Sequence, residues 1–377
     1  MNNAAALPAR TEVAIVGAGP TGLALAVTLA SAGIDFVIVD RLPEGANTSR
    51  AAVVHARTLE VLDELGAAQE LIGRGIQVAR FTVRDGSRKL LTVPFDRLPT
   101  PYPYTLMAPQ YETESVLLDR LRTLGGEVHR PYEVGVVVQG DEGVTLTMSS
   151  GETLHADYAV GADGMHSAVR EASGIGFTGS AYAESFVLAD VVMDWGPGRS
   201  EVSLTFGAAG LTGVAPLPGG HYRVVATVDE APAEPTLAFV QQVLDERTPG
   251  QARVTGLVWA SRFRVHHRVA DHYRTGLLFL AGDAAHVHSP AGGQGMNTGI
   301  QDGYALGRAF VTGNLESYEA QRRPVAERVV AFTDRMTRIA TTRSVTARTA
   351  RNIALPLLGH LGLRSKLATE LAELNYR

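Results

Sequence analysis

The feature that most constrains this chain is Gly17-x-Gly19-x-x-Gly22, set between an apolar β-branched run and an apolar helical pattern. Glu12 to Val16 reads as a buried strand, and Leu23 to Ser31 as a helix ended by Gly33. Ile34 to Val39 is a second buried strand, with Asp40 and Arg41 at its end. That order is a βαβ unit. Gly17 permits the tight turn, Gly19 lets the backbone approach a pyrophosphate, and Gly22 allows helix and strand to pack closely. Pro20 and Thr21 open the helix, whose free N–H groups and positive dipole end face the phosphates. Asp40 stands 23 positions after Gly17, where a carboxylate can accept a ribose hydroxyl. The fingerprint predicts a bound dinucleotide and does not separate FAD from NAD.

Composition narrows the classes. The chain has 377 residues, enough for two or three domain-sized units. Its net charge is -5, its only lysines are Lys89 and Lys366, and its arginines are scattered without a block of like charge. Nucleic acid is therefore not an expected partner. The absence of cysteine excludes disulfides, thiolate metal sites, iron–sulfur clusters and thiol nucleophiles, and fits a cytoplasmic protein. Leu23 to Ala32 faintly resembles a signal-peptide core, but the glycines and Pro20 before it belong to the βαβ unit. No run of about 18 apolar residues exists, so no integral membrane contact is expected. Ile353 to Leu363 is apolar but short and interrupted by Pro356 and Gly359. It reads as a docking helix, with peripheral membrane contact as the alternative.

Further along, Arg57 to Leu65 reads as a helix, and Phe81 to Pro94 as a hairpin turning at Asp85-Gly86. Thr113 to Leu124 reads as a helix with Thr113 as N-cap. Hairpins turn near Gly140-Asp141 and Ser150-Gly151, and Tyr158 to Val160 is a short strand. Ala183 to Val228 and Val254 to Val265 are strand-rich, with a helix over Pro235 to Asp245 between them. Gly276 to Ala281 is another buried strand, and the chain is largely helical after Gly295. The β-rich segments interrupt the α/β region, so the domains interweave.

Two later motifs carry chemistry. Gly161-Ala162-Asp163-Gly164 leads into Ser167 to Arg170. Alone it could be a plain turn with a surface arginine. Gly282-Asp283-Ala284-Ala285-His286 is followed by Pro290-Ala291-Gly292-Gly293-Gln294-Gly295-Met296-Asn297. Three motifs in this order resemble the single-component FAD-dependent aromatic hydroxylases, the family of para-hydroxybenzoate, phenol and polyketide hydroxylases. On that resemblance Asp283, at a strand end, can accept ribityl hydroxyls, and the glycines leave N–H groups bare beside the flavin ring. A helix starting near Met296 then turns its positive end toward that ring. The resemblance covers Glu12 to Pro324. Ser49-Arg50-Ala51 resembles the family's flavin-contacting arginine segment. Gln110, before the helix carrying Glu114, resembles a glutamine that contacts FAD. Asp40 stands where the family often has glutamate.

The resemblance implies a Rossmann-like FAD-binding domain (1–76, 109–178, 270–320) interwoven with a β-sheet substrate domain (77–108, 179–269). C-terminal helices (321–377) follow. It implies that NADPH or NADH reduces FAD and that O2 then gives a flavin C4a-hydroperoxide. That species hydroxylates an aromatic or polyketide-like molecule, the protein supplying position, dryness and electrostatics. Asp163 and Arg170 match the motif tied to nicotinamide use. Some family members carry a further thioredoxin-like domain, which would start near Tyr376. A homodimer is among the expected arrangements. Baeyer–Villiger insertion, dehydrogenation and a non-catalytic flavin- or ligand-binding protein remain alternatives, while the halogenase tryptophan motif is absent. Tyr104, Tyr182, His221 and Tyr222 could polarise a phenol or be ordinary packing, so no catalytic base is assigned. His286-x-His288 could bind a metal but lacks a third ligand, and the family has a metal-free histidine there.

Overall fold

Two large sheets share the chain, and the first positions the motifs. The computed structural model describes residues 6–45, 51–342, 344–360 and 363–376. The first sheet runs, edge to edge, Arg274–Thr275, Leu278–Leu280, Thr153–Gly161, Arg10–Val16, Phe36–Val39 and Val128–His129. Its central strands are parallel, and the hairpin Val134–Gly140 and Gly143–Met148 is added to Thr153–Gly161. The parallel strands read as continuous apolar runs because both of their faces are buried. Val13, Ala14, Ile15, Ile38, Val160 and Phe279 are accordingly sealed from solvent.

Among the described residues ten α-helices follow in chain order. They are α1 (Pro20–Ala32), α2 (Ala56–Glu64), α3 (Ala68–Arg74), α4 (Gln110–Thr123) and α5 (Ala168–Ser173). Then come α6 (Leu237–Arg247), α7 (Gly295–Thr312), α8 (Ser317–Ala340), α9 (Val345–His360) and α10 (Leu363–Leu371). α1 is buried without a break from Gly22 to Leu29, which is why its pattern is apolar all round. α4 starts three residues earlier than the expected cap at Thr113. Its flanking residue is Pro109, and Thr113 is fully buried with its hydroxyl unpartnered. The capping preference lost there to proline, whose own restricted φ ends the preceding segment.

The second sheet has eight strands in the order His286–Val287, Ala252–Ala270, Phe177–Trp195, Tyr222–Val228, Gly210–Pro216, Val202–Gly207, Arg80–Asp85 and Arg88–Pro94. Ala252–Ala270 and Phe177–Trp195 are long antiparallel partners, longer than the alternation of their sequences indicated. α6 covers one face of this sheet, where Val240 and Leu244 pack on Val191, Val224 and Val254. The other end of the sheet joins the main core through Phe81, Val93, Val202 and Phe206. A small third sheet pairs Val53–Val54 with Thr105–Met107 and Ile76–Val78.

Candidate functional site

Strand register brings the three motifs together. Val16 pairs with Val39 on one side and Gly161 on the other, and Gly161 pairs with Leu280. Each motif begins just past one of these residues, so all three emerge at the carboxyl ends of adjacent parallel strands. That edge is where open α/β sheets bind ligands. Backbone bonds knit the turns: Gly17 N–H donates to Val39 O (2.8 Å), Ala162 N–H to Val16 O (2.8 Å) and Ala281 N–H to Gly161 O (2.9 Å).

The glycines of the first loop separate by cause. Gly17 has φ +101°, and a Cβ there would lie 2.4 Å from Ala162 O. A Cβ on Gly22 would lie 1.9 Å from Gly17 O. Protein packing alone demands both. A Cβ on Gly19 would meet nothing within 4 Å. The space above Gly19 is open, and α1 begins there with no side-chain cap. Pro20 has no N–H to leave unsatisfied, while Thr21 and Gly22 turn theirs toward that space. Asp40 stands beside the loop: Oδ2 accepts from Ala18 N–H (2.7 Å) and Oδ1 from Leu42 N–H (2.8 Å). Each carboxylate oxygen keeps acceptor capacity for a hydroxyl. Arg41 is exposed next to it.

The second motif is better anchored than a plain turn. Asp163 Oδ2 accepts from Ala168 N–H (2.8 Å) at the start of α5. Burial raises its carboxyl above the ordinary range, opposed by the Ser167 hydroxyl and nearby N–H groups, and Oδ1 is buried without a partner. Arg170 is no surface residue. It donates to Ala284 O (2.8 Å) and Met165 O (2.7 Å), with its guanidinium 4.1 Å from the Phe177 ring centre. It therefore clamps the second motif to the third.

In the third motif Asp283 is exposed at the strand end, in the turn Gly282–Ala284. A Cβ on Gly282 would lie 2.4 Å from Thr21 Oγ1, so this turn packs against the start of α1. The loop from Pro290 closes with Gly293 N–H on Pro290 O (2.9 Å). Gly293 has φ +67°, and a Cβ there would meet Val53 at 2.7 Å. α7 begins at Gly295, one residue before the expected Met296, which is half-buried. Asn297 is fully buried and its amide is used internally. It donates to Val53 O and Gly293 O (2.8 Å each) and accepts from His55 N–H (2.8 Å). Its side chain forms a latch that holds the glycine loop on Val53–Val54. His55 completes the latch, donating from Nε2 to Gly292 O (2.8 Å). Burial pushes its pKa down to about 4, so it is neutral there.

The histidine pair has no metal-like geometry. His286 Nε2 lies 2.6 Å from Asp302 Oδ2, while Asp302 Oδ1 accepts from Arg322 Nε at 2.6 Å. Burial alone would raise the Asp302 carboxyl, but Arg322 and His286 overcome it and hold it low. Asp302 Oδ2 also accepts from Gly282 N–H (3.2 Å), which fixes the turn carrying Asp283. His288 stacks on His286 with centroids 6.2 Å apart, and its Nδ1 donates to Ser289 O (3.0 Å). Burial pushes its pKa to about 4 as well, and its Nε2 is buried without a partner. Among the described residues no group of three or more metal-binding side chains gathers.

Gln110 opens α4 with its amide donating to Glu114 Oε1 (2.8 Å), and its N–H bonds to Ala51 O (3.0 Å). Ser49 and Arg50 lie outside the described residues; Ala51, the next residue in sequence, sits beside Gln110. Arg223, on the second sheet, donates to the same Ala51 O (2.8 Å) while paired with Asp190 through two 2.8 Å bonds. Tyr222 is buried beneath Arg199, and the partly buried Tyr104 packs edge-on against Tyr102. The Tyr182 side chain lies outside the described part.

Residues 10–333 match the family described as FAD binding domain. The chain belongs to this family of flavin-dependent monooxygenases. A flavin-dependent monooxygenase from Mycobacteroides abscessus is 37% identical over 350 residues, 85% of this chain and 73% of that protein. The 6-methylpretetramide 4-monooxygenase of Streptomyces rimosus is 36% identical over 364 residues, 92% of this chain and 65% of that protein. The crystal structure of p-nitrophenol 4-monooxygenase from Pseudomonas putida superposes with a TM-score of 0.87 and 27% identity, with 98% of this chain and 99% of that one covered. The chain thus spans about two thirds to three quarters of the two curated relatives. In this monooxygenase the sequence reading missed His55, Arg223 and Asp302. An isolated histidine, a scattered arginine and an aspartate inside a helix carry no local signal. Their roles come from partners 237, 172 and 20 positions away.

Proposed function

We propose that this protein is an FAD-dependent monooxygenase that uses NADPH or NADH and O2 to hydroxylate an aromatic or polyketide-like small molecule. One observation carries the reading. Three motifs from distant parts of the chain meet at one sheet edge, around a glycine that no protein atom requires. Gly19 and the N–H groups of Thr21 and Gly22 would hold the pyrophosphate, with Asp40 and Arg41 at the adenosine ribose. Asp283, Gln110 and the Arg50 segment would flank the ribityl chain. Pro290, Gly292, Gly293 and Gly295 would line the flavin edge, and Met296 would pack beside it. Asp163 would act from beneath, through α5. Bound FAD supplies hydride acceptance and oxygen activation.

The chain's own residues then act by position and field. The N-terminus of α7 favours negative charge on the ring edge by about 0.3–1 kcal/mol. Neutral His55 and His288 put no competing cation there. The second sheet, with residues 77–108 and 179–269, forms the substrate domain. Arg223 ties it to the flavin-side segment, so water is excluded where the ring and substrate meet. Two of the three relatives named above, the 6-methylpretetramide and p-nitrophenol monooxygenases, are called after ring compounds, which supports the substrate class.

The test is reconstitution with FAD, a visible spectrum, and NADPH or NADH consumption over a panel of phenols and polyketides, with product mass and ring connectivity. We expect a yellow protein, substrate-stimulated consumption and one oxygen added as hydroxyl. A chain that takes up no FAD sinks the reading. FAD without substrate-stimulated consumption selects a binding protein, and oxygen inserted as a ring ester selects Baeyer–Villiger chemistry.

A further inference from the structure

The C-terminal helices, with Leu91, line an open cavity of about 520 Å³. Its walls are apolar: Leu91, Phe332, Leu355, Leu363 and Leu367 with Ala331. Its rim is cationic, carrying Arg328, Arg335, Arg364 and Lys366 against one acid, Glu370. Glu370 is already engaged by the Tyr376 hydroxyl (2.6 Å) and the Asn375 amide (2.6 Å). Arg364 Nε is buried without a partner. Arg335 and Lys366 are exposed and form no ion pair with any described residue.

Two further observations bear on the same region. From Arg335 to Thr369 the chain holds seven basic residues and no acidic one, within a protein of net charge -5. In the linear sequence these cations are too widely spaced to read as a block, but folding places six of them on α8, α9 and α10, while Arg343 lies outside the described residues. Arg351 donates to Phe206 O and Ile339 O, and Arg338 pairs with Asp334 at 2.8 Å, so neither is an available charge. In addition, α9 turns an apolar stripe outward. Val345, Ile353 and Leu357 are 71%, 60% and 57% exposed at spacings of eight and four residues. Leu363, 42% exposed, belongs to both the cavity wall and the outer surface.

We infer that the α8–α10 region is a docking surface for an anionic lipid bilayer. The stripe of α9 and Leu363 enters the acyl boundary, Arg335, Arg364 and Lys366 meet headgroup phosphates, and the cavity receives an acyl chain. A basic surface carrying exposed apolar side chains is the pattern of an interfacial element. A second copy of this chain fits poorly, since an isologous contact would set the cations of one copy against those of the other. An acidic protein segment would satisfy the rim but leave the stripe uncovered. No helix among the described residues is long and apolar enough to cross a membrane, so the contact is one of lying on the surface.

The experiment is co-sedimentation of the FAD-loaded protein with vesicles of phosphatidylcholine alone and of phosphatidylcholine with about one third phosphatidylglycerol, at low and high salt. Each basic side chain near an anionic surface strengthens binding severalfold. We therefore expect sedimentation with the anionic vesicles, little with the neutral ones, and at least about tenfold weaker partition at high salt. The pair Arg335→Glu with Lys366→Glu and the pair Ile353→Glu with Leu357→Glu should each reduce partition about tenfold or more. FAD content and circular dichroism should be unchanged, since all four side chains are exposed and none of them bonds to the glycine loop. No sedimentation, equal binding to neutral vesicles, or full binding by both variants overturns the inference. So does saturable binding of monomeric dodecyl phosphate without vesicle binding, or a dimer that both variants dissociate.

Discussion

Single atoms decide which residues of the glycine loop serve the protein and which serve its ligand. Gly22 is enclosed by Gly17 O, so a methyl group there must displace backbone. Gly19 has open space in the same direction. Gly19→Ala should therefore leave the melting temperature of the FAD-free protein within about a degree of the parent, while weakening FAD by roughly 10-fold or more. Gly22→Ala should lower stability of the FAD-free form by about 1–3 kcal/mol, the range for overpacking. Fluorescence titration and thermal melts separate the two. Equal losses of FAD-free stability in both variants would refute the distinction. Glu373 makes a second contrast. It is buried, bonds to Gln301 and has its pKa pushed up to about 8 by burial. A carboxyl held neutral stabilises the fold below its unfolded pKa of about 4.3, and that contribution is lost as pH rises to about 8. Glu373→Gln should thus melt several degrees higher than the parent at pH 8.5 and at nearly the same temperature at pH 4.5. Neutral His55 and His288 act oppositely, costing stability as pH falls from 6.5 towards 4.

Between elements, the decisive contact is α1 on α7. Cβ atoms built on Gly299, Gly303 and Gly307 would approach Thr21 Oγ1 at 2.5 Å, Thr21 O at 2.3 Å and Thr28 Cβ at 2.6 Å. Glycines at four-residue spacing put one bare stripe on α7, and α1 lies in it. The approach is what draws Gly282 against Thr21 and holds the first and third motifs at one distance. Gly303→Ala should push the helices apart, costing about 1–3 kcal/mol in urea unfolding. It should weaken FAD more than Gly313→Ala, which lies past the end of α7. If Gly303→Ala binds FAD as the parent does, the spacing does not set the site. The stripe was visible in the sequence as Gly295, Gly299, Gly303 and Gly307. It passed unread because glycine in a helix is ordinarily a weakness, and only the facing helix shows what it admits.

At the scale of the molecule, a buried ion network joins the flavin-side turn to the C-terminal helices. Asp302 holds Gly282 and His286 on one side and Arg322 of α8 on the other. Removing one member of such a network leaves an uncompensated buried charge, at a cost of about 3–5 kcal/mol. Arg322→Met should therefore lower the denaturation midpoint sharply and also loosen FAD, although Arg322 belongs to a helix outside the motif. A variant that loses stability but keeps full FAD affinity would show that α8 braces only the core. The two sheets depend on each other in a like way. Arg223 reaches from the second sheet to Ala51 O, so the segment before Val53 is positioned by both layers.

The sequence by itself determined the βαβ start, the order of the three motifs and the family, because each rests on short-range spacing. Gly17, Gly22, Asp40 and the strand ends before Asp163 and Asp283 stand where periodicity put them. The cap of α4 and the full lengths of Phe177–Trp195 and Ala252–Ala270 did not follow from local pattern. Proline chemistry decided the cap, and pairing along the whole length of two strands decided the others. Only the tertiary structure decided that the Asn297 side chain latches the glycine loop, that Arg170 joins two motifs, and that His286 is hydrogen-bonded to Asp302. Each of these depends on a partner far away in sequence. A side chain's hydrogen-bonding type can be read from its name, but its partner is set by packing, and in this protein the partner is what turns three separate motifs into one site.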